Sequence, residues 1–273
     1  MEEKCVNIFK IVLEEADLDH YQFQKLLKNE KELHLRITKV IQELSGDNKY
    51  IDEEVTSLLE YFSGYKPKSI MEQINILINF FPNINFNNFE KLIKGKKLPA
   101  GAEGWFIIPH WKTIASSYNE AVCKILELIK KSWNNGFLNQ CGKLDYLSRS
   151  EKTAEILEKI NNEQGNKAFM IIPAQLGLRH RGRSPNRAHE IMSPREFGLG
   201  AFEVGSMLLT HKERLSHFND LYIDCSGDVY LFEPEDKFKK APFFQFVNQQ
   251  IEFGARWYSY TSPFYGTASA FTF

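Results

Sequence analysis

Arg179, His180, Arg181, Arg183 and Arg187 fall within nine residues of the stretch "QLGLRHRGRSPNR" (175–187), and no Asp or Glu lies among them. Guanidinium groups grip phosphate and carboxylate through paired hydrogen bonds, so clustered arginine suits an anionic ligand better than clustered lysine would. Gly177 and Gly182 free the backbone for close approach. Ser184 adds a hydroxyl donor, and His180 is a donor or proton carrier near neutral pH. The stretch follows an apolar strand signal, and ligand crevices in open sheets form at the carboxyl ends of strands. The competing reading is structural. Arginines also pair with acids distant in sequence, and Glu233, Glu235 and Asp236 are candidate partners.

Other chemistries find less purchase. "DCSGD" (224–228) offers Cys225 as a nucleophile with His180 or His110, but two flanking carboxylates work against thiolate formation, and a buried structural cysteine is the simpler assignment. His180, His189, His211 and His217 share a region with Asp220, Asp224 and Asp228, yet none has a recognised metal-ligand spacing. The chain has no nucleophile elbow and no phosphate-binding loop of the GxxxxGK[ST] type. "GLGAFEVG" (198–205) lacks dinucleotide-fingerprint spacing, and a capping signal upstream places it inside a helix. The pattern calls for no cofactor.

The whole chain bounds these readings. It has 273 residues, 43% hydrophobic and 25% charged, with a net charge of −1 and a pI of about 6.7. A protein that coats DNA carries a broad basic excess, so anion binding here must be local. The four cysteines are scattered without a CxxC pair, which suits reduced thiols in the cytoplasm. No signal peptide or membrane span is visible.

The elements that position these residues read as α+β. Helices are expected around Val6–Leu13 and Leu33–Leu44. A third would be capped by Asp52 and carry Val55, Leu58, Leu59 and Phe62; a fourth would be capped by Ser69 and stopped by Pro82; a fifth would span Asn88–Ile93. A linker at 94–104 divides a helical region, 1–95, from an α+β region, 100–273, with one composite domain as the alternative. "WFIIP" (105–109) and "FMIIP" (169–173) read as buried strands, their likeness being too short to establish a duplication. Helices follow over 121–129 and from Ser150 to about Asn161. Ser193, Pro194 and Glu196 form a capping signal for a helix through His211, whose glycines imply close packing. Residues 221–234 and 242–258 read as hairpins, and the last residues as an edge strand.

The leading functional expectation is a non-catalytic cytoplasmic protein that binds nucleic acid or a phosphorylated ligand. Arg179, Arg181, Arg183 and Arg187 would contact phosphate, His180 would assist, and Gly177 and Gly182 would shape the loop. Trp105, Trp111 and Trp257 would offer stacking faces. One alternative is an enzyme acting on a phosphorylated or carboxylated small molecule. Another is a protein–protein interaction module using the helical N-terminal region. No membrane partner is expected.

Overall fold

The computed structural model describes residues 2–44, 49–82, 89–133, 136–165, 167–233 and 239–273. Contacts divide the chain into two units, Met1–Ile51 and Asp52–Phe273. The first holds helices α1 (Glu2–Glu15), α2 (His20–Lys28) and α3 (Glu30–Leu44). Asp19 caps α2 in a reciprocal pair with Gln22. None of the residues in 2–51 whose burial is described is buried.

The second unit begins with an irregular stretch where the sequence suggested a helix capped by Asp52. Its backbone groups find partners elsewhere: Val55 N–H donates to the Gly182 carbonyl, Leu221 N–H to the Glu60 carbonyl, and Ser63 N–H to Asp220. These satisfy the backbone in an extended course, so the helical periodicity of Val55, Leu58, Leu59 and Phe62 is overruled and Leu58 and Phe62 are left exposed. The expectation of α4 (Ile70–Phe80) holds, with Ser69 and Glu72 forming a capping box. Helix α5 (Phe89–Ile93) follows; residue 88 lies outside the described residues.

Strands β1 (Gly104–Pro109), β4 (Phe169–Gln175), β5 (Glu196–Gly198) and β11 (Ser269–Phe271) form one antiparallel sheet in the order β1-β4-β11-β5. The two similar apolar runs are direct neighbours, with Ile107 opposite Ile171. Both are apolar throughout because both faces are covered. Phe106, Ile108, Met170 and Ile172 join the main core, while Ile107, Phe169 and Ile171 pack with α4 and α5. Each run also has a glutamine where a neighbouring strand would be. Gln73 donates to the Trp105 carbonyl and accepts from Ile107 N–H; Gln164 does the same for the carbonyl and N–H of Ile171.

The second sheet contains β3 (Leu147–Arg149), β6 (Tyr222–Asp224), β7 (Asp228–Tyr230), β8 (Lys240–Val247) and β10 (Tyr265–Thr267), in the order β10-β6-β8-β7-β3; β9 (Gln250–Trp257) lies beside β8 and β2 (Phe137–Asn139) beside β9. The β8–β9 hairpin turns at Asn248 and Gln249, both at positive φ, as expected near those positions. The expected 221–234 hairpin is absent. β6 and β7 both lie antiparallel to β8 on the edge away from β9, so they are two pieces of one strand interrupted by a bulge at 225–227. Nor is the last strand an edge: β11 sits between β4 and β5, and β10 pairs parallel with β6.

Helices α6 (Tyr118–Ser132) and α7 (Glu151–Glu163) begin at Ser117 and Ser150. A short α8 (Pro185–Ile191) and the central α9 (Ala201–Thr210) complete the unit. The signal at Ser193–Glu196 forms its reach-back bond, Ser193 N–H to the Glu196 carboxyl at 3.3 Å, but starts no helix, because Glu196 lies in β5 and its carboxyl is also held by His180, Arg179 and Ser269; α9 starts eight residues later than that cap, after Gly200. All ten residues of α9 are buried. A methyl at Gly205 would come within 2.6 Å of Ile125 of α6, the close packing anticipated for this helix. Among the described residues no helix is long and apolar enough to cross a membrane.

The glutamine caps make a direct prediction. Gln164→Leu leaves the buried N–H and carbonyl of Ile171 without partners and should lower unfolding free energy by about 2–4 kcal/mol in a urea titration. Gln73→Leu should do the same at Trp105 and Ile107. Losses below about 0.5 kcal/mol would show that these side chains are incidental.

Candidate functional site

The 179–187 loop leaves β4 at Gln175. Gly177 (φ 121°) admits a single 3-10 turn at Leu178–His180, and Gly182 (φ 76°) reverses the chain before Ser184 caps α8. Both glycines therefore shape the loop, but what approaches them is backbone. A methyl at Gly182 would sit 2.1 Å from the Val55 carbonyl oxygen, and one at Gly177 would sit 3.0 Å from that of Gly266.

The basic groups do not share an uncompensated patch. Arg179 Nε lies 3.1 Å from Glu196 Oε2. Arg181 donates to the Leu59 carbonyl at 3.0 Å and has Glu60 at 3.7 Å. Arg183 lies 2.6 Å from Glu54, and Arg187 meets Glu54 at 3.2 Å and Glu190 at 2.8 Å. The arrangement expected of phosphate-contacting arginines is thus corrected: each already faces a carboxylate, and none of these acids is one of the three suggested by sequence. Glu235 and Asp236 lie outside the described residues.

His180 is sealed. Its Nε2 is 2.7 Å from Glu196 Oε1, and its Nδ1 has no partner among the described residues. A charged ring would strand an N–H at Nδ1, so the neutral ring donating from Nε2 is the favoured form; burial lowers its pKa to the same end. Glu196 is fully buried. Burial opposes its charge, but hydrogen bonds from His180 and from Ser269 Oγ, with Arg179 beside it, pull the carboxyl down to about 2.

A second polar cluster surrounds the bulge. Asp228 accepts from Ala201 N–H at 2.7 Å, in the first turn of α9, and from Tyr118 Oη at 2.8 Å. Glu203 accepts from Gly200 N–H and pairs with Arg149, whose guanidinium lies over the Tyr118 ring. "GLG" (198–200) does occupy a strand–turn–helix setting and not a helix interior, which corrects the sequence reading. Yet the helix start, where a dinucleotide phosphate would dock, is filled by the Asp228 carboxyl. A methyl at Gly200 would come to 2.4 Å of Asp228 Oδ1, and one at Gly227 to 2.6 Å of the Gly200 nitrogen. Burial, with Glu203 nearby, pushes the Asp228 carboxyl up to about 7, against the pull of Arg149. The same burial drives the Cys225 thiol well above its ordinary range, so Cys225 is no ready nucleophile.

His110 pairs with Glu158 at 3.3 Å, and His211 accepts from Lys68 N–H, so neither joins His180. Among the described residues no three His, Cys, Asp or Glu side chains group as a metal site. Trp105 packs edge-on against Phe273, and Trp111 packs against Tyr118. Sequence reasoning missed Glu54, Glu60 and Glu196 because nothing in local spacing links them to the arginines; it also missed Glu190, although that residue stands three after Arg187 on α8, the spacing of a helical ion pair. Tyr118, Arg149 and Glu203 carried no motif either.

No known family, curated protein or solved structure matches the chain.

The two buried carboxyls give stability trends of opposite sign. Glu196, lowered in the folded state, contributes stability present above its unfolded value near 4.5 and lost as pH falls toward 2. The stability gap between wild type and Glu196→Gln should therefore narrow on acidification below about pH 5. Asp228, raised from 3.8 to about 7, contributes stability present at low pH and lost as pH rises through that interval. Wild type should accordingly lose stability relative to Asp228→Asn between about pH 5 and 7.5 in denaturant titrations. Parallel curves in either comparison would sink the corresponding assignment.

Proposed function

We propose that the chain is a non-catalytic assembly protein whose N-terminal helical unit docks against a helical protein surface, the partner its charges fit being a second copy of this chain. One observation carries the reading. None of the residues in 2–51 whose burial is described is buried, and Val6, Ile11, Val12, Leu27, Val40 and Ile41 are each exposed by 45% or more. Helices of 9, 14 and 15 residues are marginal in water without an apolar face buried on something. Contiguous exposed apolar surface on a folded element marks an interaction site.

The charge pattern narrows the partner. Residues 2–44 carry nine acidic and seven basic side chains, so they lack the basic excess that anionic lipid or nucleic acid requires. α1 has four glutamates against two lysines, whereas α2 has two lysines and no acid. A second copy presents the complement of each.

Nucleic-acid or phosphate binding through 179–187 remains the weaker reading, because a phosphate would have to displace Glu54, Glu60 and Glu196 from their arginines. The enzymatic alternative loses support at both of its residues, His180 and Cys225, which are sealed from solvent.

The test uses the full chain. Light scattering across a concentration series to about 100 μM should show a dimer or larger assembly, a modest affinity by interface standards. Val12→Lys with Ile41→Lys should return it to monomer while leaving cooperative unfolding of 52–273 unchanged. A wild-type chain that stays monomeric, or an oligomer indifferent to both substitutions, would overturn the proposal. Salt-sensitive oligonucleotide binding that weakens on replacing Arg181 and Arg183 would favour the nucleic-acid reading instead.

A further inference from the structure

The second sheet continues past β10 into the arginine loop. Arg181 bridges Gly266 in antiparallel fashion, and Gly182 N–H donates to the Tyr265 carbonyl, so 181–183 forms a short further rung. The outer side of that rung is taken by 53–55. Glu54 bridges Arg183, again antiparallel, Val55 N–H donates to the Gly182 carbonyl at 2.8 Å, and Ser184 N–H donates to the Glu53 carbonyl at 3.0 Å. This is the geometry of a peptide added to a sheet edge, where main-chain bonds hold the strand and side-chain sites select it. Gly182 makes the approach possible, because a Cβ there would lie 2.1 Å from the Val55 carbonyl oxygen.

The side-chain sites select acid. Residues 52–60 hold four acids and no base, and 179–187 hold four arginines and no acid. Glu54 takes the guanidinium groups of Arg183 and Arg187. Glu53 accepts from Ser184 Oγ at 2.5 Å and from Asn186 Nδ2 at 3.3 Å. Burial opposes the Glu54 charge, but Arg183 and Arg187 pull its carboxyl below the ordinary value. Apolar anchorage is missing from this strand. None of 52–56 is buried, and Leu58 beyond it is 87% exposed. Buried attachment begins at Ser57, whose hydroxyl donates to the Pro263 carbonyl. The strand ahead of Ser57 is therefore held by charge and main-chain bonds, contacts that another strand of the same chemistry makes equally well.

We propose that this edge is a docking site for an extended acidic peptide of a partner protein, with adjacent acids in the places of Glu53 and Glu54, and that 52–56 is an internal strand that keeps the site closed until such a peptide displaces it. The arginines grip the acids, and the Gly182 carbonyl and Ser184 N–H pair with the peptide backbone. Nucleic acid offers phosphates to the arginines but no backbone N–H and carbonyl in strand register, so it meets only half of the site. Attachment to the same chain gives the internal strand a high effective concentration, so a partner of equal chemistry is outcompeted unless the internal acids are lost or its own charge is greater. This inference is independent of assembly through α1–α3.

The experiment follows binding of a fluorescent peptide of sequence IDEEVTSLLE, residues 51–60, to the full chain by anisotropy. Glu53→Gln with Glu54→Gln loosens the internal strand, so this variant should bind the peptide about tenfold or more tightly than wild type does. Adding Arg183→Gln and Arg187→Gln to it should abolish the gain, and a peptide with glutamine at both glutamates should bind it about tenfold or more weakly. Should the acid variant fail to fold, amide exchange in wild type decides. Excess peptide should speed exchange of Val55 N–H, which loses Gly182, and leave Ser184 N–H protected, because the incoming strand accepts from it in turn. Equal binding by wild type and acid variant, indifference to the peptide's acids, or both amides unmoved would overturn the proposal. So would displacement of the peptide by an oligonucleotide of equal charge, or oligomers of the chain that vanish with Arg183→Gln and Arg187→Gln, which would assign the edge to nucleic acid or to a second copy.

Discussion

The carboxylate of Glu196 governs how the larger unit is joined. A charge sealed from water is tolerated only with a full set of donors, and Glu196, besides the local Ser193 N–H, collects three side-chain donors: His180 Nε2, Arg179 Nε and Ser269 Oγ. Those donors come from the turn after β4 and from β11, while the acid sits on β5. One side chain thus fixes the turn and two strands of the four-stranded sheet. Gln175 extends the clamp by holding Ser269 and the Thr267 carbonyl with its amide nitrogen, and the Gly177 N–H with its oxygen. Removing the acid would leave buried donors unanswered, and such a loss is felt over the whole cluster and not at one bond.

The same rule, applied at Asp228, explains the bulge. The strand that runs along β8 is continuous in direction from Tyr222 to Tyr230, but its register slips between Asp224 and Tyr230. The surplus residues, 225–227, push toward the start of α9. There Gly227 N–H donates to the Leu199 carbonyl, and the Asp228 carboxyl accepts from Ala201 N–H. Three glycines, 198, 200 and 227, are needed because a Cβ at each would clash: at 198 with Ser226 Oγ at 2.5 Å, at 200 with Asp228 Oδ1 at 2.4 Å, and at 227 with the backbone of Gly198 and Gly200 at 2.6 Å. The glycine spacing that mimics a nucleotide motif is therefore a steric requirement of strand, bulge and helix meeting at one point.

Much of the architecture was legible where a signal is local. Caps at Ser69 and Ser150, the two apolar strands, the 248–249 turn and the α+β class all rest on neighbours in sequence or on periodicity. The failures share a cause. The Asp52 helix, the Ser193 capping signal and the 221–234 hairpin were each reasonable locally and were each overruled by a distant partner: Gly182, His180 and β8 respectively. The arginine loop shows the same limit of local reading. Its residue types and glycines were read correctly, but the acids that answer it lie far away at 54 and 60 or beyond the loop at 190 and 196.

The arginine loop also decides where the N-terminal helices stop. "DEEVTSLLEYF" (52–62) has helical periodicity and a capping aspartate, so left to itself it would extend the helical part of the chain. The loop supplies a better alternative. Arg183 and Arg187 converge on Glu54, Arg181 donates to the Leu59 carbonyl, the Gly182 carbonyl accepts from Val55 N–H, and Ser184 N–H donates to the Glu53 carbonyl. A helix over these residues would forfeit those bonds and leave three guanidinium groups, of Arg181, Arg183 and Arg187, short of an acid. The boundary between the two units at Ile51 and Asp52 is thus drawn by donors more than a hundred residues downstream. The guanidinium cluster that first suggests an external ligand has one in the chain itself, the acidic segment that follows the N-terminal helices.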